Sequence, residues 1–208
     1  MGRVIRDFFT QPTLVVAESL LGKILVHKPS EGFCYKGMIV ETEAYLGKGD
    51  DACHASRKMT PRNSVMFRNP GTLYVYFSYG SHNLLNIVTE PEGTAGAVLI
   101  RAMEPVEGIE MMKKNRKTDN VINLMNGPGK LTQAMEISLR QNGSSLHDTT
   151  LYLEEGTTIA GSCIETTPRV GISKSTDLLW RKYISGNPYV SKASPLPPTK
   201  KKRIVLES

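Results

Sequence analysis

Cysteine is scarce in this sequence and follows no pattern. Cys34, Cys53 and Cys163 are odd in number, form no CxxC, and join no Cys/His cluster at zinc-ligand spacing. A disulfide framework and a structural zinc site are therefore disfavoured, and reduced thiols in a cytosolic setting are expected. Long apolar runs are missing too: no stretch approaches the roughly 18 residues that a membrane span needs. The opening MGRVIRDFFTQ has neither the apolar core nor the cleavage site of a signal peptide, and Arg6 stands where a myristoylation motif requires Ser or Thr. The expectation is a soluble, intracellular protein. No internal repeat is apparent.

What is present fits one domain: 208 residues and 23.0 kDa, 39% hydrophobic and 7% aromatic. The net charge of +6 permits a nucleic-acid partner without demonstrating one. Along the chain, Pro12 and Gly22 bracket a short helix, and Lys23 to His27 reads as a strand. A turn at Lys28 to Gly32 then leads into a strand from Phe33 to Tyr45, paired antiparallel with the first. Thr72 to Ser78 alternates Leu73, Val75 and Phe77 with Tyr74, Tyr76 and Ser78, and Asn83 to Val88 completes a hairpin with Tyr79 at its tip. Ala97 to Met103 is an apolar strand containing Arg101; Pro105 is expected to open the helix through IEMMKKNRK. Asn126 to Lys130 offers a glycine-rich turn, a helix start and a lysine together, which suits a phosphate. Leu151 to Glu154, Arg169 to Ile172 and Lys182 to Ile184 are short strand candidates.

The chemistry concentrates in MIVETEAYLGKGDDACH, Met38 to His54. Glu41, Glu43 and Tyr45 recur at every second position, so a regular strand projects all three from one face, opposite Val40, Thr42 and Ala44. That face meets either water or a site, and His54 follows closely enough to fold back over it. Spacing alone does not choose between the two glutamates.

This segment, with TPRNSVMFRNPGTLYVYFSYGSHNLLNIV, AVLIRAMEP, NGPGKLTQAM, PRVGI and GNPYVS, closely resembles the alkyladenine (methylpurine) DNA glycosylases over roughly Asp7 to Ser191. The resemblance implies an α+β domain over residues 1–191, with a curved, mostly antiparallel sheet flanked by helices, like the formyltransferase C-terminal domain. Residues 192–208 form a basic, Pro-rich tail that contains the Lys200, Lys201, Lys202, Arg203 run. It further implies excision of damaged purines from duplex DNA, without a metal or other cofactor, by a monomer located wherever the DNA is.

Matched residue by residue, the resemblance makes Glu43 the general base, with Arg101 and the Val170 carbonyl holding the attacking water. It assigns Tyr45, Ala52, His54, Tyr76 and Asn86 to the base pocket, Tyr79 to intercalation, and Arg62 and Lys130 to the DNA backbone. Cys53, where alanine is common, and a loop after His54 one residue shorter than in some relatives are departures that bear on lesion preference. No lysine is singled out as an amine nucleophile, so a water-based glycosylase without strand cleavage is expected. Two alternatives stand beside this reading: a protein that holds damaged bases without excising them, and a metal-dependent nuclease built on Glu41, Glu43, Asp50 and Asp51.

Overall fold

The computed structural model describes residues 2–78, 80 and 82–192. Among these residues eight strands form one sheet: β1 (Ile24–His27), β2 (Tyr35–Leu46), β3 (Leu73–Ser78), β4 (His82–Val88), β5 (Gly96–Glu107), β6 (Leu151–Glu154), β7 (Ile164–Thr167) and β8 (Arg181–Ile184). The main order is β3-β4-β5-β2-β1-β6, and every pairing is antiparallel. The sheet curls into a half-barrel with three helices, α1 (Thr13–Ser19), α2 (Ile109–Arg116) and α3 (Pro128–Ala134). This is the α+β, single-domain architecture that the resemblance implies.

β2 is the axis of the molecule. One edge runs along β5 for nearly its whole length. Along the other, Tyr35–Met38 pair with β1 and Glu41–Glu43 pair with β8. On either side of Glu41 the register against β5 slips: Val40 has no opposite residue on β5, and Arg101 has none on β2. Such bulges redirect side chains across the pleat. Ile39 and Ala44, of opposite parity, accordingly both enter the main core, while Arg101 turns toward the glutamates.

The core lies mainly beneath the helices. In α1, Val16, Ala17 and the following Leu20 and Leu21 are buried, the spacing of an inward helical stripe. Its first turn is satisfied from a distance, because Glu90 accepts from the Thr13 amide at 3.0 Å and from the Thr13 hydroxyl at 2.6 Å. Thr42 donates its hydroxyl to the Ala17 carbonyl at 2.7 Å, tying α1 to β2. Pro128 opens α3, as its fixed φ and missing N–H favour, and Thr132 anchors the helix to the Asn83 carbonyl at 2.7 Å. A second, smaller core of Cys53, Ala55, Val65, Met66, Tyr74, Val88, Ala95 and Ala97 supports the other side, with Tyr45 and Tyr76 packed against it.

Two sequence expectations are corrected. Pro105 opens no helix: it lies within β5, which runs on to Glu107, and the helix begins at Ile109 after Gly108 at φ +81°. The proline is tolerated because β4 pairs with β5 only at Ala97–Leu99, so further along one edge of β5 is free of a strand. Arg169 to Ile172 form no strand either; the preceding Ile164–Thr167 do. Their apolar pattern serves a loop that turns into the site.

Candidate active site

The bulged stretch of β2 delivers two fully buried carboxylates. Glu41 accepts from Arg101 Nε at 2.8 Å, Arg181 Nε at 2.7 Å, the Ser191 amide at 2.6 Å and the Ser191 hydroxyl at 2.8 Å. Three of these four donors, two of them cationic, converge on Oε1, and the Ser191 amide holds Oε2. Glu43 is held differently: the Val170 amide donates to Oε1 at 2.6 Å, the Tyr45 hydroxyl to Oε2 at 2.8 Å, and Arg101 Nη1 stands 3.3 Å from Oε1. Glu43 therefore has one arginine and two neutral donors where Glu41 has two arginines and both polar groups of Ser191.

Arg101 spans both acids and also donates from Nη2 to the Ser191 hydroxyl at 3.2 Å. Burial works against its charge, but Glu43 and Glu41 outweigh that effect and raise its pKa above the ordinary arginine value. Tyr45 is pushed well above the usual tyrosine range, first by burial and then by the Glu43 charge, so its hydroxyl remains a donor.

In front of Glu43 opens a cleft of about 480 Å³, a size suited to a small planar ligand. Tyr45, Ala52, His54, Tyr76, Asn86, Arg101 and Val170 all line it, together with Tyr74, Met66, Asp51 and Lys174. Glu43 lies directly behind this lining, through its bonds to Tyr45, Arg101 and Val170. The alternation of β3 turns Tyr74, Tyr76 and Ser78 into the cleft and Leu73 and Val75 into the core. Across from them, the His54 ring meets Tyr76 edge-on with centroids 4.6 Å apart, and its Nδ1 is 3.1 Å from the Tyr74 hydroxyl. Burial, then the Arg62 charge, lowers the His54 pKa and favours neutral imidazole. Burial likewise lifts Tyr74 to about 12. Asn86 is fixed by its sheet pairing with Tyr74 and Leu99 and by an Nδ2 bond to the Tyr74 carbonyl at 3.1 Å.

The residues assigned to the DNA backbone lie outside the lining. Arg62 is exposed, with Nη2 3.2 Å from the Phe77 carbonyl and its guanidinium 5.7 Å from the Tyr76 centroid. Lys130 folds onto the Asn126 side chain at 2.7 Å; burial, Arg116 and Lys192 lower its pKa. Tyr79 and residues 193–208 of the tail fall outside the described residues. Cys53 is buried, and burial raises its thiol to about 11, which makes it a packing group.

Sequence reasoning missed Arg169. It forms a bidentate pair with Asp50, both contacts at 2.7 Å, and its guanidinium stacks 4.5 Å from the Tyr45 centroid and 5.1 Å from that of Trp180. Asp50 and Arg169 are 119 residues apart, and no local pattern couples them. Arg181 and Ser191, which close on Glu41, were missed for the same reason. These contacts also dissolve the acid cluster on which a nuclease reading depends: Asp50 belongs to Arg169, and Glu41 to Arg101 and Arg181. Among the described residues, no three His, Cys, Asp or Glu are grouped to hold a metal ion.

Comparison with known proteins identifies the family. The family model described as methylpurine-DNA glycosylase matches residues 7–188. A protein of Prosthecochloris aestuarii, provisionally named 3-methyladenine DNA glycosylase, is 95% identical over the full length of both chains. Proteins with the same provisional name are 60% identical in Chlorobium phaeobacteroides, over 92% of this chain and 96% of the relative, and 58% identical in Chlorobaculum tepidum, over the whole of both. With a family match from Asp7 across every strand of the sheet and through the loop bearing Val170, the chain belongs to the methylpurine-DNA glycosylase family.

Proposed function

We propose that the protein everts alkylated or deaminated purines of the 3-methyladenine, 7-methylguanine, hypoxanthine and etheno-adenine class from duplex DNA. It then hydrolyses the N-glycosyl bond and leaves an abasic site, the first step of base excision repair. The observation that carries this reading is the attachment of Glu43 to three residues of the cleft wall, which puts a carboxylate immediately behind an aromatic slot.

A stacked base hides its sugar bond, so the nucleotide must leave the helix at a cost of a few kcal/mol, least for damaged or badly paired bases. Tyr79 acts as the wedge that fills the gap, and Arg62 and Lys130 hold backbone phosphates. In the cleft, aromatic stacking contributes about 1–3 kcal/mol per base, and a cationic purine gains a further cation–π contribution. Asn86 crowds the exocyclic amino group of an undamaged guanine. Glu43 takes a proton from water and stabilises the oxocarbenium character that grows as the base departs. Arg101 and the Val170 carbonyl orient that water. General-base assistance supplies about 10²–10⁴-fold, and eversion and electrostatic positioning supply the remainder.

The protein acts as a monomer, and its hydrolytic route needs no amine nucleophile. Lys174, which lines the cleft, makes that last statement testable: borohydride is expected to trap no covalent protein–DNA adduct, and a trapped adduct would assign lyase chemistry. The main test is single-turnover release from duplexes with one hypoxanthine or etheno-adenine, in EDTA. Alkali-labile sites are expected from the parent chain. Glu43→Gln should bind the lesion and release nothing. Tight lesion binding by the parent without release would favour a non-catalytic damage binder, and parental rates from Glu43→Gln would remove Glu43 as the base.

A further inference from the structure

Behind the cleft, the Arg169 and Asp50 side chains are fully buried. Tyr45 faces the cleft, whereas Arg169 is absent from its wall and stacks 4.5 Å from the Tyr45 ring centroid. One ring thus has a guanidinium behind it and the ligand space before it. Arg169 also donates to the Ala44 carbonyl at 2.9 Å, and its Nε is buried without a hydrogen-bond partner among the described residues. An apolar side chain would prop the ring without the desolvation that a buried ion pair carries. A charge in this place therefore asks for an account beyond packing.

We propose that Asp50 and Arg169 together set the charge that the pocket tolerates, Asp50 cancelling Arg169 behind Tyr45 so that a cationic purine can stack on the open face. The inference rests on the function proposed above, in which Tyr45 contacts the everted base. A guanidinium is weakly hydrated and stacks well on aromatic faces, which makes Arg169 a rigid support. Left unpaired, its charge would act on the lesion across a single ring, in a water-poor space where Coulomb forces fall off slowly. The bidentate Asp50 contact removes that repulsion at its origin and keeps the support. Asp50 also accepts from the Leu46 and Ala52 amides at 3.3 and 3.1 Å, so it braces the turn as well. The test must therefore read something that loss of bracing alone would not change.

That readout is the ratio of single-turnover rates on 7-methylguanine, a cation, and hypoxanthine, which is neutral, in one duplex context with the full chain. Asp50→Asn should lower the cation-to-neutral ratio about tenfold, and Arg169→Gln, which leaves a bare anion, should raise it by a similar factor. The double variant D50N/R169Q should return it to within about threefold of the parental value. Simple loosening of the turn changes both rates without opposite signs. Unchanged ratios in both single variants, or shifts in the same direction, would overturn the inference. Should neither single variant fold, the neutral double variant decides: a retained ratio supports the proposal, and a larger drift overturns it. A parent chain that releases neither lesion would instead count against the function proposed above.

Discussion

Replacing each glutamate of the VETEAY segment by glutamine should separate stability from chemistry. Glu41→Gln removes the one carboxylate that, among the described residues, Arg181 contacts in an ion pair, which is also the closer of the two held by Arg101. It also places an amide group among four donors, leaving at least one of them without an acceptor. Breaking a buried pair in this way costs about 3–5 kcal/mol, a large share of the roughly 5–15 kcal/mol by which folded domains exceed unfolded ones. At a urea dependence of about 2 kcal/mol per molar, the midpoint should fall by about 2 M. Glu43→Gln leaves Arg101 paired with Glu41, so its midpoint should fall by less than half as much while base release is lost. Urea titration of both variants, followed by single-turnover release under conditions where both are folded, checks the pair. If Glu43→Gln proves the less stable of the two, or if folded Glu41→Gln releases bases no faster than Glu43→Gln, the division of labour is wrong.

Other outcomes follow from single contacts. His27 is buried with Nδ1 2.7 Å from the Met135 carbonyl, and burial lowers its pKa below 6.5. The unfolded chain then binds the extra proton, so the stabilising contribution of His27 is present above pH 6.5 and is lost as pH falls through the lowered folded value; urea midpoints at pH 7.5 and 5.5 should show the loss, and His27→Gln should flatten it. Gly22 lies at φ +84°, and a Cβ there would stand 2.0 Å from the Thr157 carbonyl oxygen, so Gly22→Ala should cost more than about 2 kcal/mol in urea titration. Tyr79→Ala should weaken binding to a paired lesion more than to the same lesion opposite a gap; equal losses by fluorescence anisotropy would count against a wedge.

Period-two alternation made β3 legible, because Leu73 and Val75 pack inward for the same reason that Tyr74 and Tyr76 turn to the cleft. β1 and β2 were legible from β-branched content and the turn between them. The partners of Glu41 and Glu43 were not, since the two register slips that flank Glu41 and bring Arg101 between the acids leave no mark in local composition. Nor were Asp50 and Arg169: an acid in a glycine-rich turn looks solvated until a guanidinium from far along the chain closes on it. Pro105 misled for a related reason, because the freedom of the β5 edge on which it sits depends on where β4 stops.

The double partnership of β2 has a consequence for synthesis on the ribosome. Its first half meets a strand already made, whereas its second half, with both glutamates, waits for Arg181–Ile184 and Ser191. A nascent chain that has emerged only as far as β6 therefore carries Glu41 with one of its two arginines and Glu43 without its Val170 amide. Such long-range closure is slow relative to local pairing. Base-cutting competence should arrive late and all at once, and fragments released early should be inert toward the genome.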